Sequence, residues 1–319
     1  MQPTYVFIVG LPRTGTKLMM NVLENCQEKA CYITPENFFL GRVLRSGVRH
    51  KLRSLGDLRQ DEQIRRLVDQ MYTGQFFGEF WDKLAQGKIK IERRDLLRRL
   101  LVSDRSDQAI YLTLLEAYAE SLAQRPLVAE EVILGDKSGP HLYRVPTLLA
   151  WFPEAKVVHT FRDPRAVLAS EHKKLLNKQG RNIAKLEIGG QIWQALFLKL
   201  TMPLFSLFVV LYITVAWLYA ARLHYKYKKL YPNNYFLSKF EDLVEAPEEN
   251  VRKLCGFLNI EFHPEMLSPP KIDSSYSKDA GTGFDQATLN RWRSYLKPWM
   301  NACLTLLGKK YLKSFGYIR

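Results

Sequence analysis

Short apolar runs rich in β-branched and aromatic residues punctuate the chain at 5–9, 30–34, 132–134, 156–161 and 235–240. They are continuous rather than alternating, which predicts strands buried on both faces. Most are separated by stretches with helical spacing. Strands that alternate with helices in this way predict a parallel sheet covered on both sides. The expected fold class is α/β: a three-layer arrangement with a central parallel sheet of about five strands and helical insertions. No internal repeat or low-complexity segment breaks the pattern, and one domain over 1–319 is expected.

Two stretches stand outside this alternation. Residues 41–125 predict a helical insertion after the second strand, placed to cap a site at the sheet edge. Its last helix carries Ile110, Leu114, Leu115, Tyr118 and Leu122 on one face, the spacing of a core-facing helix. Two basic clusters lie within it: Arg42, Arg45, Arg49, Lys51 and Arg53, then Arg93, Arg94, Arg98 and Arg99. Both read as solvated faces ahead of binding surfaces. The second stretch, 195–222, has no charge from Thr201 to Ala221 and is long enough to cross a bilayer. A strand needed by the sheet follows it, however, and both flanks are basic, which places both ends on one side. The expectation is a helix broken near Pro203 that lies in a membrane interface. A buried core helix and a dimer seam are the alternatives.

The first apolar run leads into GLPRTGTK at 10–17. Strand, glycine-bounded loop and helix start form a phosphate cradle, because backbone N–H groups at a helix N-terminus point at the anion. Gly10 and Gly15 bracket the loop where a side chain would hold the anion away. Arg13 and Lys17 add positive charge. A nucleotide triphosphatase loop ends Gly-Lys-Ser/Thr. Here Lys and Thr are exchanged and an Arg sits inside the loop, which points from ATP towards another phosphate-bearing donor. This P-loop-like element has a companion in KVVHTFRDPRAVLASEHKK at 156–174. Arg162 emerges at the carboxyl end of a strand, the edge where open α/β sheets bind ligands. Arg162 and Ser170 suit a second phosphate, so the ligand expected is phosphorylated at two places.

Together these motifs resemble the PAPS-dependent sulfotransferase family, nearest its bacterial and protein-tyrosine branches. GLPRTGTKL resembles the family's 5′-phosphosulfate loop, and FRDPRAVLAS its 3′-phosphate motif. YFLSKFEDLVEAPEENVRKLCGFLNI resembles the later strand and helix with their Y-E-D-L core. DKSGPH and the terminal RWRSYL and LKSFGY resemble the bacterial and protein-tyrosine branches. The resemblance spans nearly the whole chain apart from much of the basic insertion and the apolar segment. It implies PAPS as donor, PAP as product and no metal requirement. It implies that Arg13, Thr14, Gly15, Thr16 and Lys17 hold the 5′-phosphosulfate and that Arg162 and Ser170 hold the 3′-phosphate. Ser274, Ser275, Gly281 and Gly283 lie where related branches close over the nucleotide. Arg13 and Lys137 become the cations beside the leaving phosphate, and Glu36 the general base. His141 is the rival base, although its spacing, K-S-G-P-H, departs from the K-T-H of the cytosolic branch. Lys17 also departs, standing where the family often has Thr or Ser. Such chemistry is direct in-line transfer governed by positioning and charge.

Composition sharpens the partners. A net charge of +15 over 319 residues favours anionic ones. The expected acceptor is a small molecule, lipid or carbohydrate; an anionic membrane surface and a homodimer remain open, and nucleic acid is not expected. The four cysteines form no C-x-x-C pair and the histidines do not cluster with them, so neither a metal site nor a disulfide framework is indicated. The chain enters its first strand without a signal-like segment, which predicts a cytoplasmic protein, peripheral at a membrane through 195–222. Two rival readings remain: a P-loop kinase or NTPase using 132–136, VILGD, as its acidic strand, and a non-catalytic membrane-docked PAP-binding protein.

Overall fold

A computed structural model describes residues 3–41, 55–123, 127–189, 191–270 and 281–319. The sheet has five strands: β1 Thr4–Gly10, β2 Ala30–Thr34, β3 Val132–Lys137, β4 Lys156–Phe161 and β5 Tyr235–Lys239. Their order is β2-β3-β1-β4-β5 and every pairing is parallel. All five predicted strands form, and β3 runs on to Lys137. β1 is central and buried on both faces. Val6 and Ile8 enter one apolar core while Phe7 and Val9 enter the other, as the two-residue period of a strand requires. Gly135 is needed where β3 passes β1, because a Cβ there would stand 1.9 Å from Val6 O.

The described helices are α1 Thr16–Glu24, α2 Asp61–Tyr72, α3 Glu79–Ala85, α4 Arg93–Val102, α5 Asp107–Leu122, α6 Val145–Trp151, α7 Pro164–Ile188, α8 Ile192–Leu230, α9 Phe240–Glu245, α10 Pro247–Leu258, α11 Arg291–Tyr295 and α12 Pro298–Ser314. Helices α1, α9 and α10 cover the Val6 face. Helices α2 to α5, α7, α8 and α12 cover the Phe7 face. This is the three-layer α/β arrangement expected.

Within the insertion, Ile110, Leu114 and Leu115 of α5 are buried, whereas Leu122, the last residue of the helix, is exposed. Arg93 pairs with Asp69, Arg98 with Asp95, and Arg99 with both Asp95 and Glu120. The Arg93 and Arg98 pairs are mostly solvated and worth about 0–1 kcal/mol each, the Arg99 pairs are more covered, and Arg94 is exposed, so this cluster is an outer face. The cluster from Arg42 to Arg53 lies outside the described residues.

The apolar segment is half core. α8 is one helix of 39 residues with Pro203 inside it, not a helix broken at that proline. Proline forfeits a single backbone bond in the turn before it. The helix continues because its next turns are buried from Val209 on. From Val209 to Tyr227 the inward face is buried, with Val210, Trp217, Ala220 and Ala221 deepest. The amino-terminal half instead pairs antiparallel with α7, where His172 Nε2 meets Ser206 Oγ at 3.0 Å and Lys199 meets Glu187 at 2.6 Å. α7 is capped by the Asp163 side chain, which accepts from Arg165 N, and Pro164 opens its first turn.

Two buried histidines share one phenol. Tyr235 Oη lies 2.5 Å from His159 Nδ1 and 3.1 Å from His224 Nδ1. Burial, with His224 adding, pushes His159 down to about 3, and burial with Lys228 adding pushes His224 down to about 4. In the unfolded chain both titrate near 6.5, so between pH 6.5 and about 4 the unfolded state binds more protons. Stability therefore falls as pH drops through that window. Thermal midpoints measured from pH 7 to pH 4 should fall, and His224→Gln should make the fall shallower. An unchanged slope in the variant would show that His224 does not titrate this way.

Candidate active site

The loop after β1 is shaped by close contacts. Gly10 pairs with Thr160 across the sheet, and a Cβ on it would stand 2.5 Å from Thr160 O. Thr14 is buried; its Oγ1 donates to Leu11 O at 2.7 Å and lies 2.9 Å from Thr160 Oγ1. Arg13 sits at φ 69° and Gly15 at φ 98°. A left-handed arginine costs on the order of 1–3 kcal/mol and survives where its surroundings fix it. Gly15 O accepts from Met19 N at 2.9 Å. The amides of Thr16, Lys17 and Leu18 thus form the open amino end of α1, the geometry that binds phosphate.

Arg162 stands at the end of β4 and joins three segments. Its guanidinium donates to Arg13 O at 3.2 Å and Thr288 O at 3.0 Å, and lies 3.9 Å over the Phe240 ring. Its buried Nε has no hydrogen-bond partner among the described residues. Burial pushes the group down to about 10, with Glu241 opposing the shift and Arg13 adding to it. The Arg13 side chain in turn donates from Nε to Ser170 Oγ at 2.8 Å. Loop, Arg162 and Ser170 therefore form one basic pocket rim. Trp217 of α8 donates to Arg162 O at 3.0 Å and holds the strand end in place.

A second cluster lies beside the first on β3. Lys137 pairs with Ile8, near the end of β1, and Gly139 follows so closely that a Cβ would stand 2.5 Å from Gly10 O. The Lys137 ammonium is nearly buried, 3.6 Å from Glu36 Oε1 and 3.7 Å from Glu79 Oε2. The amides of Asn37 and Phe38 donate to Ser138 Oγ at 3.1 Å and 3.3 Å, and Phe80 N donates to Glu36 O at 3.0 Å. These bonds hold Glu36 at the lysine. Burial raises the Glu79 carboxyl, but Lys83, Lys137 and Lys17 outweigh it and hold the group below its ordinary range. Lys17 itself is exposed.

His141 is fully buried and plays a different part. Leu40 N–H donates to its Nε2 at 3.2 Å, and its Nδ1 faces Asp136 Oδ1 at 3.5 Å. Asp136 Oδ2 also accepts from Asn37 Nδ2 at 2.5 Å and Tyr111 Oη at 2.8 Å. The acidic residue of VILGD is thus enclosed in a side-chain network rather than offered to a metal ion. No group of three or more metal-type ligands occurs among the described residues.

Ser274 and Ser275 lie outside the described residues. Gly283 donates to Pro269 O at 2.8 Å, and Asn21 of α1 donates to Pro270 O at 3.1 Å, which ties the flanks of that segment beside the loop. Sequence reasoning missed Glu79, Phe240, Thr288 and Trp217. Gly78 was the available signal for Glu79: at φ 143°, with a Cβ that would stand 2.4 Å from Glu36 O, it lets α3 approach the site. The other three are adjacent to the site only through the tertiary fold.

Residues 3–264 match the sulfotransferase family. This chain belongs to that family. The sulfotransferase domain of the olefin synthase from Synechococcus PCC 7002 shares its fold, with a TM-score of 0.55 and 18% identity over 100% of this chain and 96% of that one. The sulfotransferase domain from the curacin biosynthetic pathway aligns at a TM-score of 0.51 and 16% identity over 97% of each chain. No curated protein sequence matches the chain significantly. Within this sulfotransferase the enclosure of His141 makes a direct prediction. His141→Gln should lower the thermal midpoint and change the pH profile of transfer little. A loss of transfer beyond a hundredfold, with an unchanged midpoint, would return His141 to the chemistry.

Proposed function

We propose that this enzyme transfers a sulfuryl group from PAPS directly to an acceptor hydroxyl. The observation that carries the reading is the buried Arg162 guanidinium, whose Nε has no partner among the described residues, beside an open helix N-terminus. A guanidinium with a buried, unsatisfied Nε and no ion-pair partner among the described residues is costly, and a phosphate anion compensates it. A donor phosphorylated at two places meets both requirements: Arg162 and Ser170 for the 3′-phosphate, and the loop from Arg13 to Lys17 for the 5′-phosphosulfate. When bound, PAPS supplies the sulfuryl group and a phosphate leaving group.

The second cluster serves the acceptor. Glu36, partly exposed beside Lys137, accepts the hydroxyl proton as the acceptor oxygen bonds to sulfur and the sulfur–oxygen bond to phosphate breaks. As Glu36 is neutralised, Lys137 loses one of its two carboxylate partners. Its charge turns towards the leaving phosphate oxygen, with Arg13 on the loop side. Glu79 stays ionised and keeps Lys137 in place. No step needs a metal ion.

The test is a transfer assay with labelled PAPS and a panel of hydroxyl acceptors in EDTA. Wild type should transfer label without magnesium. Glu36→Gln should lose about 10²–10⁴ in rate and hold PAP within about twofold of wild type. Full transfer by Glu36→Gln would remove Glu36 as the base. Magnesium-dependent ATP turnover by the pure protein would overturn the sulfotransfer reading in favour of a kinase.

A further inference from the structure

Past Ser170 on α7 and ahead of Trp217 on α8, the α7–α8 hairpin is built with two unlike sides. α8 runs down to the amino edge of the sheet, where β5 begins, and passes the carboxyl end of β4 at Trp217. From Trp217 back to Ile192 is about 38 Å of helix. Down to Val209 the inward face of that length is still core; the part before it, with α7 running beside it from Arg162, extends from the carboxyl edge, the edge that carries both clusters of the site.

The outer face of α8 is apolar and uncovered. Trp193, Phe197, Leu200, Leu204, Phe208 and Val215 are exposed by 83%, 65%, 71%, 69%, 62% and 64%. At about 100° per residue they fall on one stripe roughly 33 Å long. The same stripe continues through Tyr219 into Arg222, Lys226 and Lys229, all exposed, at helical spacings of three and four. Thus one helix face carries an indole at one end, an uncharged apolar run, and a basic collar at the other end. On α7 the exposed Lys174, Lys178, Arg181 and Lys185 follow the same spacing, opposite the buried His172 and Ile183 that face α8. The hairpin therefore has a wet basic side and a dry side.

We propose that this hairpin is a docking arm for an anionic lipid bilayer, lying in the membrane interface with the α8 stripe immersed. The stripe matches an interfacial helix: a polar side opposite an apolar one, Trp at the water boundary, and cations placed to meet lipid phosphates. A second copy paired in parallel would set the collars of Arg222, Lys226 and Lys229 against each other, whereas anionic headgroups complement them. The arm leaves the sheet at the edge of the site, so docking brings that edge to the bilayer. The acceptor class that follows is a hydroxyl carried by a membrane lipid; this second half rests on the transfer reading above.

Flotation of the full chain with phosphatidylcholine vesicles, with and without 30% phosphatidylserine, tests the arm. Wild type should float with anionic vesicles and at least tenfold less with neutral ones. The double variant Leu200→Glu, Leu204→Glu should stay in solution at an unchanged thermal midpoint, since both side chains already face outward. Arg222→Glu with Lys226→Glu should lose the preference for anionic vesicles. Wild type that stays soluble, a double variant that floats like wild type, or a stable dimer that Leu200→Glu breaks without any vesicle binding would each overturn the proposal. PAP binding in the absence of vesicles reports on the transfer reading alone: its absence in wild type would remove that reading and leave the docking result standing.

Discussion

Much of this molecule is arranged around one buried positive charge. Arg162 ends β4, stacks on Phe240 at the end of β5, donates to the loop after β1 at Arg13 O and to the late segment at Thr288 O, and receives the Trp217 indole at its own carbonyl. Nearby, Glu241 accepts from Asp163 N and from the Tyr317 hydroxyl. Elements from every third of the chain converge on a guanidinium whose charge burial disfavours. Such a group is tolerated when a ligand completes it. The fold therefore holds a cation that an anion would complete, and in the proposed transfer that anion is the donor's phosphate.

The two clusters divide the work along the sheet edge. In the proposed transfer, β4 and the loop supply the donor side and β3 and the segment after β2 the acceptor side, with β1 between β3 and β4. Lys137 is the pivot, because it touches Glu36 and Glu79 on one side and lies against the loop through Gly139 and Gly10 on the other. α8 has two jobs in one helix. Its carboxyl half is core and positions Arg162 through Trp217, while its amino half leaves the core and carries an uncovered apolar stripe.

Local features were legible before the fold was seen. The strands appeared because continuous apolar runs alternating with helical stretches have few other uses in an α/β chain. The loop appeared because glycines at 10 and 15 mark backbone that a side chain would block, and the contacts to Thr160 and Phe240 supply the reason. Arg162 and Ser170 were visible as a motif, although their link through Arg13 was not. Glu79 was hidden because its approach to Lys137 depends on where the insertion folds back. Thr288 and Phe240 were hidden for the same reason. The apolar segment misled in one respect: lack of charge is shared by a core helix and a membrane helix, and α8 is the first in its second half and exposed in its first. Pro203 misled as well, because a single lost backbone bond does not end a helix whose next turns are anchored in the core.

Calorimetric titration of PAP into wild type and Arg162→Ala, both without magnesium, tests the central claim most directly. Wild type should bind with one site per chain, and the variant, folded with a similar thermal midpoint, should bind at least tenfold more weakly. Equal affinity in both proteins would contradict the claim, because the buried guanidinium would then have a purely structural use and the donor site would have to be sought elsewhere.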